Sequence, residues 1–370
     1  MRMLFGFVGG RGHFTPLVPV AGACAAAGHT ILFACQQSMV PAVQAAGFEA
    51  VAIGPDYGSD GSRLPLLAPD PVKEDLDLRE GFARRAASLR GKDILALAET
   101  WRPDLVVCDE VDFGAMIAAE RLGVPHASVL VTASGGFVRA SVVACALDDV
   151  RASFGLPADP SMAMPGRHLV LSPFPPGFRD PAYPLPVTAR TFRSQDPVEA
   201  DGEAIYFTLG TIFNTESGDL FQRVLTGLRE LDVPLVMTVG ELVDPAEFGP
   251  QPSHVRIERF VPQASVLPEC RLVVSHGGSG SLTGALAHGL PSVLIPMGAD
   301  QLMNGARAAV LGLGLVLDPV SLTPATIRDA AAEVLTDPSY TLVAAGLRAE
   351  MAAQPGVSYV VGLLEGLVPA

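Results

Sequence analysis

Several things this 370-residue chain lacks narrow what it can be. Its five cysteines, at 24, 35, 108, 145 and 270, form no C-x-x-C pair and no ligand spacing with the seven histidines. Neither a metal centre nor a disulfide framework is therefore expected, and the thiols read as buried groups in a reducing cytoplasm. No apolar run reaches spanning length, and the first apolar strand starts at Met3, so neither a membrane span nor a secretory leader is expected. Basic residues are few, 25 Lys and Arg against 39 Asp and Glu. The resulting net charge of −14 argues against nucleic acid and anionic membrane surfaces as partners. Aromatics make up only 6% of the chain, so an apolar ligand would be held mainly by Leu, Val, Met and Phe.

What is present points to large buried sheets. The composition is 49% hydrophobic and 17% charged, and strand and helix patterns alternate in both halves. Two doubly wound α/β domains are expected. Residues 172–197 carry Pro173, Pro175, Pro176, Pro181, Pro184 and Pro186, and read as a linker without regular elements that would let the domains close. It would separate residues 1–197 from 198–355, and residues 356–370 would add a final apolar helix over 357–367.

The most informative stretch is His276-Gly277-Gly278-Ser279-Gly280-Ser281, between an apolar strand at 272–274 and a helix at 282–288. Unpaired N–H groups and the positive end of a helix dipole make such a turn an anion site, and glycine lets the backbone approach a phosphate. A bare tight turn is the rival reading. A second strand, 292–296, ends in Gly298-Ala299-Asp300-Gln301-Leu302-Met303-Asn304. Asp300, Gln301 and Asn304 would then stand at the carboxyl edge of a parallel sheet, with groups suited to sugar hydroxyls, unless Asp300 merely caps a helix. A strand at 205–209 closes in Gly210-Thr211, and Arg259-Phe260-Val261-Pro262-Gln263 follows a fourth.

These four pieces, in order and spacing, resemble the nucleotide-sugar half of the GT-B glycosyltransferases, specifically the bacterial enzymes that decorate macrolides, aromatic polyketides, glycopeptides and enediynes. The resemblance covers nearly the whole chain. It implies two Rossmann-like domains facing a cleft, with the terminal helix crossing back to the first. It further implies that the segment Phe260, Val261 and Gln263 holds the base, that the turn from His276 to Ser281 binds the pyrophosphate, and that Asp300 and Gln301 hold the donor sugar. Ser281 stands where the family usually has threonine and keeps the hydroxyl. Eight residues beyond the histidine, the related plant enzymes have a glutamate that grips both ribose hydroxyls of UDP. Gly284 stands there in this chain, which implies a dTDP-sugar donor, with UDP as the alternative.

In the amino-terminal half an apolar strand at 3–8 leads into Gly9-Gly10-Arg11-Gly12-His13-Phe14-Thr15-Pro16 and an alanine-rich helix at 17–27. Thr15 replaces the third glycine of a dinucleotide fingerprint, and no acid closes the strand at 33–35, so a nicotinamide cofactor is not expected. An imidazole at the tip of a glycine loop can take a proton from an acceptor hydroxyl, or can simply cap the next helix. The resemblance implies that His13 is the base of an inverting transfer. Asp109, closing the strand at 104–108, is the candidate for orienting it, with Glu110 as the neighbour and an N-cap of the helix near Phe113 as the competing role. Arg11, Arg259 and Arg307 lie near enough to offer the diphosphate local positive charge.

Residues 56–89, with weak periodicity, are expected as loop or short helices over the crevice, and 132–143 as another wall. Phe113, Met116, Phe137 and Met162 are the candidate acceptor contacts, with core packing as the alternative for each. The expected reaction moves a (deoxy)sugar to a hydroxyl or aromatic carbon of a polyketide, enediyne or related secondary metabolite, without metal or other cofactor, in a monomer or homodimer. Two rivals are a nucleotide-sugar epimerase or hydrolase using Asp300 and Glu241, and a non-catalytic partner of a transferase. The glycine-rich phosphate turn argues against the second rival.

Overall fold

A computed structural model describes residues 1–58 and 62–368. Two parallel sheets organise it. The first holds β1 (Arg2–Gly6), β2 (Thr30–Cys35), β3 (Glu49–Ala52), β4 (Leu105–Asp109), β5 (His126–Val129), β6 (Leu169–Ser172) and β7 (Ala189–Thr191), in the order β3-β2-β1-β4-β5-β6-β7. The second holds β8 (Ala204–Thr208), β9 (Leu235–Thr238), β10 (Val255–Glu258), β11 (Cys270–Ser275), β12 (Ser292–Leu294) and β13 (Gly314–Val316), ordered β10-β9-β8-β11-β12-β13.

The inner strands are short apolar runs because both faces of each sheet are covered there, so no alternation with polar residues is needed, whereas the edge strands β3, β7 and β10 are partly exposed and carry Glu49, Arg190, Arg256 and Glu258. In β1 the period of two sends Leu4 into one core with Val106, while Met3 and Phe5 enter another with Leu105 and Val107. Both sheets reverse strand order beside a central pair, β1 with β4 and β8 with β11. At such a switch point the loops diverge and leave a crevice at the carboxyl edge, which is where ligands bind in open α/β sheets. His13 and Asp109 follow the first central pair; Gly210 and His276 follow the second.

The last helix, Ser358–Glu365, inserts Val360 and Leu364, both fully buried, into the core that also holds Val20, Ala21 and Cys24 of the Val18–Ala26 helix. Residues 369–370 of the expected terminal segment, and 59–61 of the expected crevice loop, lie outside the described residues. No helix among the described residues is long and apolar enough to cross a membrane.

Three local expectations need correction. Residues 172–197 are not devoid of regular structure: β7 pairs with β6, and Pro176–Phe178 makes a 3-10 turn. Pro186 lies three residues before Ala189, so the strand at this sheet edge keeps its own N–H groups. Residues 71–101 are helical throughout, opening on Asp70, which accepts from the Val72 and Lys73 main chain. Their middle, Asp77–Ala86, is π-wound, and that wider winding takes the apolar positions out of the 3.6-residue register that sequence periodicity detects. The loop after β1 is itself helical from Arg11 to Phe14.

β5 carries a buried pH liability. His126 is fully buried, with Nε2 bonded to the Met164 carbonyl at 2.9 Å and Nδ1 without a partner among the described residues. Burial, and then the neighbouring His168, push its pKa down to about 4. The unfolded chain takes up this proton near pH 6.5 and the folded protein does not until about 4, so stability falls as pH falls through that window. The loss should reach about 3 kcal/mol, and in His126→Asn the difference in unfolding free energy between pH 7 and pH 4.5, read from denaturant titrations, should shrink by about that much.

Candidate functional site

The sequence places a histidine and an acid at neighbouring strand ends, and the fold brings them together. His13 Nδ1 lies 2.9 Å from Asp109 Oδ2. Asp109 is fully buried and also accepts from the main-chain N–H of Val8 at 3.1 Å and of Val111 at 2.9 Å. A carboxylate only accepts, so Nδ1 carries the hydrogen and Nε2 presents the lone pair. The imidazole lies across Gly9, whose φ is +110°: a Cβ there would stand 2.9 Å from the ring. Glycine is needed at this position for both reasons.

The His13 side chain is one quarter exposed. Burial works against its charged form, yet the Asp109 bond and charge, with the charges of Asp300 and Glu110, outweigh it and hold the pKa above the usual value. Asp109 does not cap the next helix. Asp112 does that, accepting from the Ala115 N–H. Glu110, the neighbouring candidate, turns away to the main chain of Val131 and Thr132.

Across the crevice the helix after β11 starts at Ser279, three residues earlier than the sequence suggests, with Gly278 as N-cap. Ser279, Gly280 and Ser281 therefore form its first turn, and the turn proper is Gly277-Gly278. His276 is buried between two glycines: a Cβ on Gly210 would lie 2.6 Å from the ring and one on Gly278 2.4 Å. Burial, partly offset by a bond to the Thr208 main chain, pushes its pKa down to about 4, so the ring is neutral, and Nδ1 has no partner among the described residues. The one N–H of the neutral ring goes to the Thr208 carbonyl, so the buried Nδ1 is an acceptor, and what this turn offers a phosphate oxygen is the main-chain N–H groups of the helix N-terminus that the ring packs beneath.

Asp300 opens the Gln301–Leu311 helix without a side-chain cap bond. Its Oδ2 instead accepts from Ser279 Oγ and from Asn304 Nδ2. Burial raises its pKa, against those two bonds and the attraction of His13, which it faces. Asn304 is fully buried: Nδ2 also donates to the Gly277 carbonyl, and Oδ1 accepts from Ser134 N–H at 3.1 Å. Ser279 Oγ likewise accepts from Ala133 N–H at 2.8 Å. Asn304 and Ser279 thus tie the two halves together. Gln301 turns its carbonyl oxygen onto Met297 and Gly298, which leaves Asp300 the partly exposed member of the set.

Gln263 donates to Ser281 Oγ at 3.2 Å and covers Gly284, where a Cβ would stand 2.8 Å from its Oε1. Phe260 is largely exposed, Val261 is half-buried on the core that holds Ala285, and Thr211 follows Gly210, which has φ +73°.

Two of the four acceptor contacts, Phe113 and Met116, require correction. Phe113 and Met116 are fully buried in the core beneath the first sheet, because their helix is apolar on nearly every side, and Phe137 and Met162 pack at the edge of that core. Phe82 lies beside His13, stacked at 6.3 Å between ring centres, and Tyr57 is stacked on Phe82 at the same distance. Two of the three nearby arginines are engaged elsewhere. Arg307 donates to the Phe178 and Gly177 carbonyls, and Arg259 to the Glu241 carbonyl.

Sequence reading also missed a strap. Arg63 pairs with Glu247 through two bonds of 2.6 Å, Leu64 N–H donates to the Thr215 carbonyl, and Glu74 meets the Ala299 main chain. These are contacts between distant segments and leave no periodic trace.

Two facing parallel sheets, a terminal helix returning to the first, and a crevice with a histidine–aspartate pair on one wall and a glycine turn on the other define a GT-B glycosyltransferase. Residues 222–367 match the family model "Erythromycin biosynthesis protein CIII-like, C-terminal domain". The chain is 30% identical to the L-demethylnoviosyl transferase of Streptomyces niveus, over 96% of this chain and 95% of that one. It is 29% identical to the tylactone mycaminosyltransferase of Streptomyces fradiae, over 99% and 92%. The solved structure of the glycosyltransferase VinC in complex with dTDP superimposes with a TM-score of 0.77, covering 100% of this chain and 99% of that one at 26% identity. The chain belongs to the GT-B natural-product glycosyltransferases and is a glycosyltransferase of secondary-metabolite biosynthesis.

Proposed function

We propose that this enzyme transfers a deoxysugar from a dTDP-sugar to a hydroxyl, or an electron-rich aromatic carbon, of a polyketide, enediyne or related metabolite, with inversion at the anomeric centre. The observation that carries the reading is the 2.9 Å bond from His13 Nδ1 to the buried Asp109, which leaves Nε2 as a base at the crevice.

In this reading Nε2 takes the acceptor proton as the acceptor oxygen attacks the anomeric carbon from the face opposite the leaving diphosphate. Asp109 stabilises the imidazolium that forms. Charge growing on the diphosphate meets the main-chain N–H groups in the first turn of the Ser279–Ala287 helix, a turn that the buried His276 ring packs against and fixes in advance. Asp300 takes a sugar hydroxyl, and Phe260, Val261, Gln263, Gly210 and Thr211 frame the base. Support for dTDP comes from Gln263, which fills the space over Gly284, and from the dTDP complex of the similar VinC. No metal is assigned a role.

The test is turnover of a dTDP-deoxysugar and its UDP counterpart with a panel of polyketide aglycones, with the anomeric coupling of the product read by NMR. Inverted product formed preferentially from the dTDP donor is expected. Retained configuration contradicts the mechanism.

A further inference from the structure

Behind Asp109 lies a buried ion pair that the mechanism above does not use. Arg90 and Asp112 are both essentially inaccessible. The guanidinium bonds both Asp112 oxygens, Nε to Oδ1 at 2.9 Å and Nη2 to Oδ2, and Nη2 also donates to the Ala34 carbonyl. Three elements make room for the pair. A Cβ on Gly6 would stand 2.6 Å from Asp112 Oδ2, one on Gly54 2.4 Å from Arg90 Cγ, and one on Gly114 2.8 Å from Arg90 Cβ.

Asp109 and Asp112 are the ends of one tight turn, with Asp112 N–H donating to the Asp109 carbonyl. Arg90 lies within electrostatic reach of both carboxylates. A buried guanidinium without an anion of its own would draw the nearest carboxylate. That carboxylate is the one bonded to His13.

We propose that Asp112 is a positioning residue for the transfer reaction: by pairing with Arg90 it keeps that buried guanidinium off Asp109, whose Oδ2 is then left to the His13 imidazole. The inference rests on His13 being the base. The titratable thiols and phenol near the pair are neutral at neutral pH, since burial raises Cys35, to about 11, and also Cys108 and Tyr57; Asp56 lies beside Cys35, Arg85 beside Tyr57, and Asp93 accepts from Gly54 N–H on the outer side of Arg90. Around His13 itself the charged groups are Asp109, Asp300 and Glu110, and its ring neighbour Phe82 is neutral.

The test reads the His13 titration midpoint by NMR of the labelled imidazole in the substrate-free protein, beside pH profiles of kcat and kcat/KM. Asp112→Asn retains a helix cap and removes the charge. It should lower the His13 midpoint by about 1 unit or more and move the acid limb of kcat/KM with it. The double variant Arg90→Met with Asp112→Asn removes both charges and should return the midpoint close to the wild-type value. A purely structural role gives two damaged proteins with no such return. If Asp112→Asn does not fold, Asp112→Ser provides the same charge removal with a different capping side chain.

A midpoint that stays in place in the single variant, or that fails to return in the double, overturns the proposal. Retained turnover in His13→Ala would instead overturn the base reading, while the substrate-free midpoints would still decide the pairing.

Discussion

His13→Ala should lose roughly a thousandfold in kcat/KM toward a hydroxyl acceptor while leaving dTDP affinity close to wild type, because a positioned base contributes about 10²–10⁴ and the imidazole touches no donor group assigned here. The pH dependence carries the sign. His13 is a base only when neutral, and its pKa is held above the usual value by Asp109, Asp300 and Glu110 against burial. kcat/KM should therefore fall as pH drops through a midpoint above about 6.5, the ordinary histidine value. Asp109→Asn removes the largest raising contribution, so its acid limb should move to lower pH even as kcat falls. The same interaction bears on stability with the opposite slope. A raised folded pKa adds stability that is fully present below the unfolded value and is lost as pH rises through the folded one. An acid limb that stays in place in Asp109→Asn would show that another group titrates.

The second large effect is expected at the glycine turn. In Gly278→Ala the new methyl would stand 2.4 Å from His276 Nε2, and the ring has little room to retreat, because it is buried and packs so closely on Gly210 that a Cβ there would also lie 2.6 Å from it. The ring and the first turn of the Ser279–Ala287 helix must move together. Overpacking of this kind costs about 1–3 kcal/mol of stability. Displacing fixed donors from a developing negative charge costs about 10²–10³ in kcat. Gly280→Ala is the control, since a Cβ there meets nothing within 4 Å. Equal loss in both variants would mean that the turn is sensitive to any side chain and that the His276 geometry is not the cause.

How far the sequence carried the reading depends on what each feature leaves in a linear pattern. The doubly wound sheets were legible because β1, β4, β8 and β11 are short apolar runs bounded by breakers. His13 and Asp109 were legible as a pair because His13 lies in the segment that follows β1 and Asp109 closes β4, strands that the fold places side by side. The Gly277-Gly278 turn was legible, but its helix start was not: Ser279-Gly280-Ser281 is poor helix sequence by propensity and becomes helical because Ser279 is fixed by Ala133, Asn304 and Asp300.

Phe113 and Met116 were misread because an apolar residue near a strand end looks the same whether it lines a crevice or fills a core. Asn304 looked like a sugar ligand, yet both ends of its amide face protein groups in a contact 170 residues apart in sequence. Glu74 and the Arg63–Glu247 bridge are cross-cleft contacts of the same kind. Asp112 was hidden by its neighbours: among Asp109, Glu110 and Asp112, only the structure shows that one faces His13, one a loop and one Arg90.

The most direct test of the account is nucleotide binding by thermal shift, with dTDP, UDP, GDP and NAD against wild type and Gly278→Ala. A ligand that binds only the folded state raises the midpoint by mass action. The account predicts a dTDP-selective rise in wild type that is lost in Gly278→Ala. A flat panel, a response to NAD alone, or a dTDP shift of equal size in the variant would contradict it.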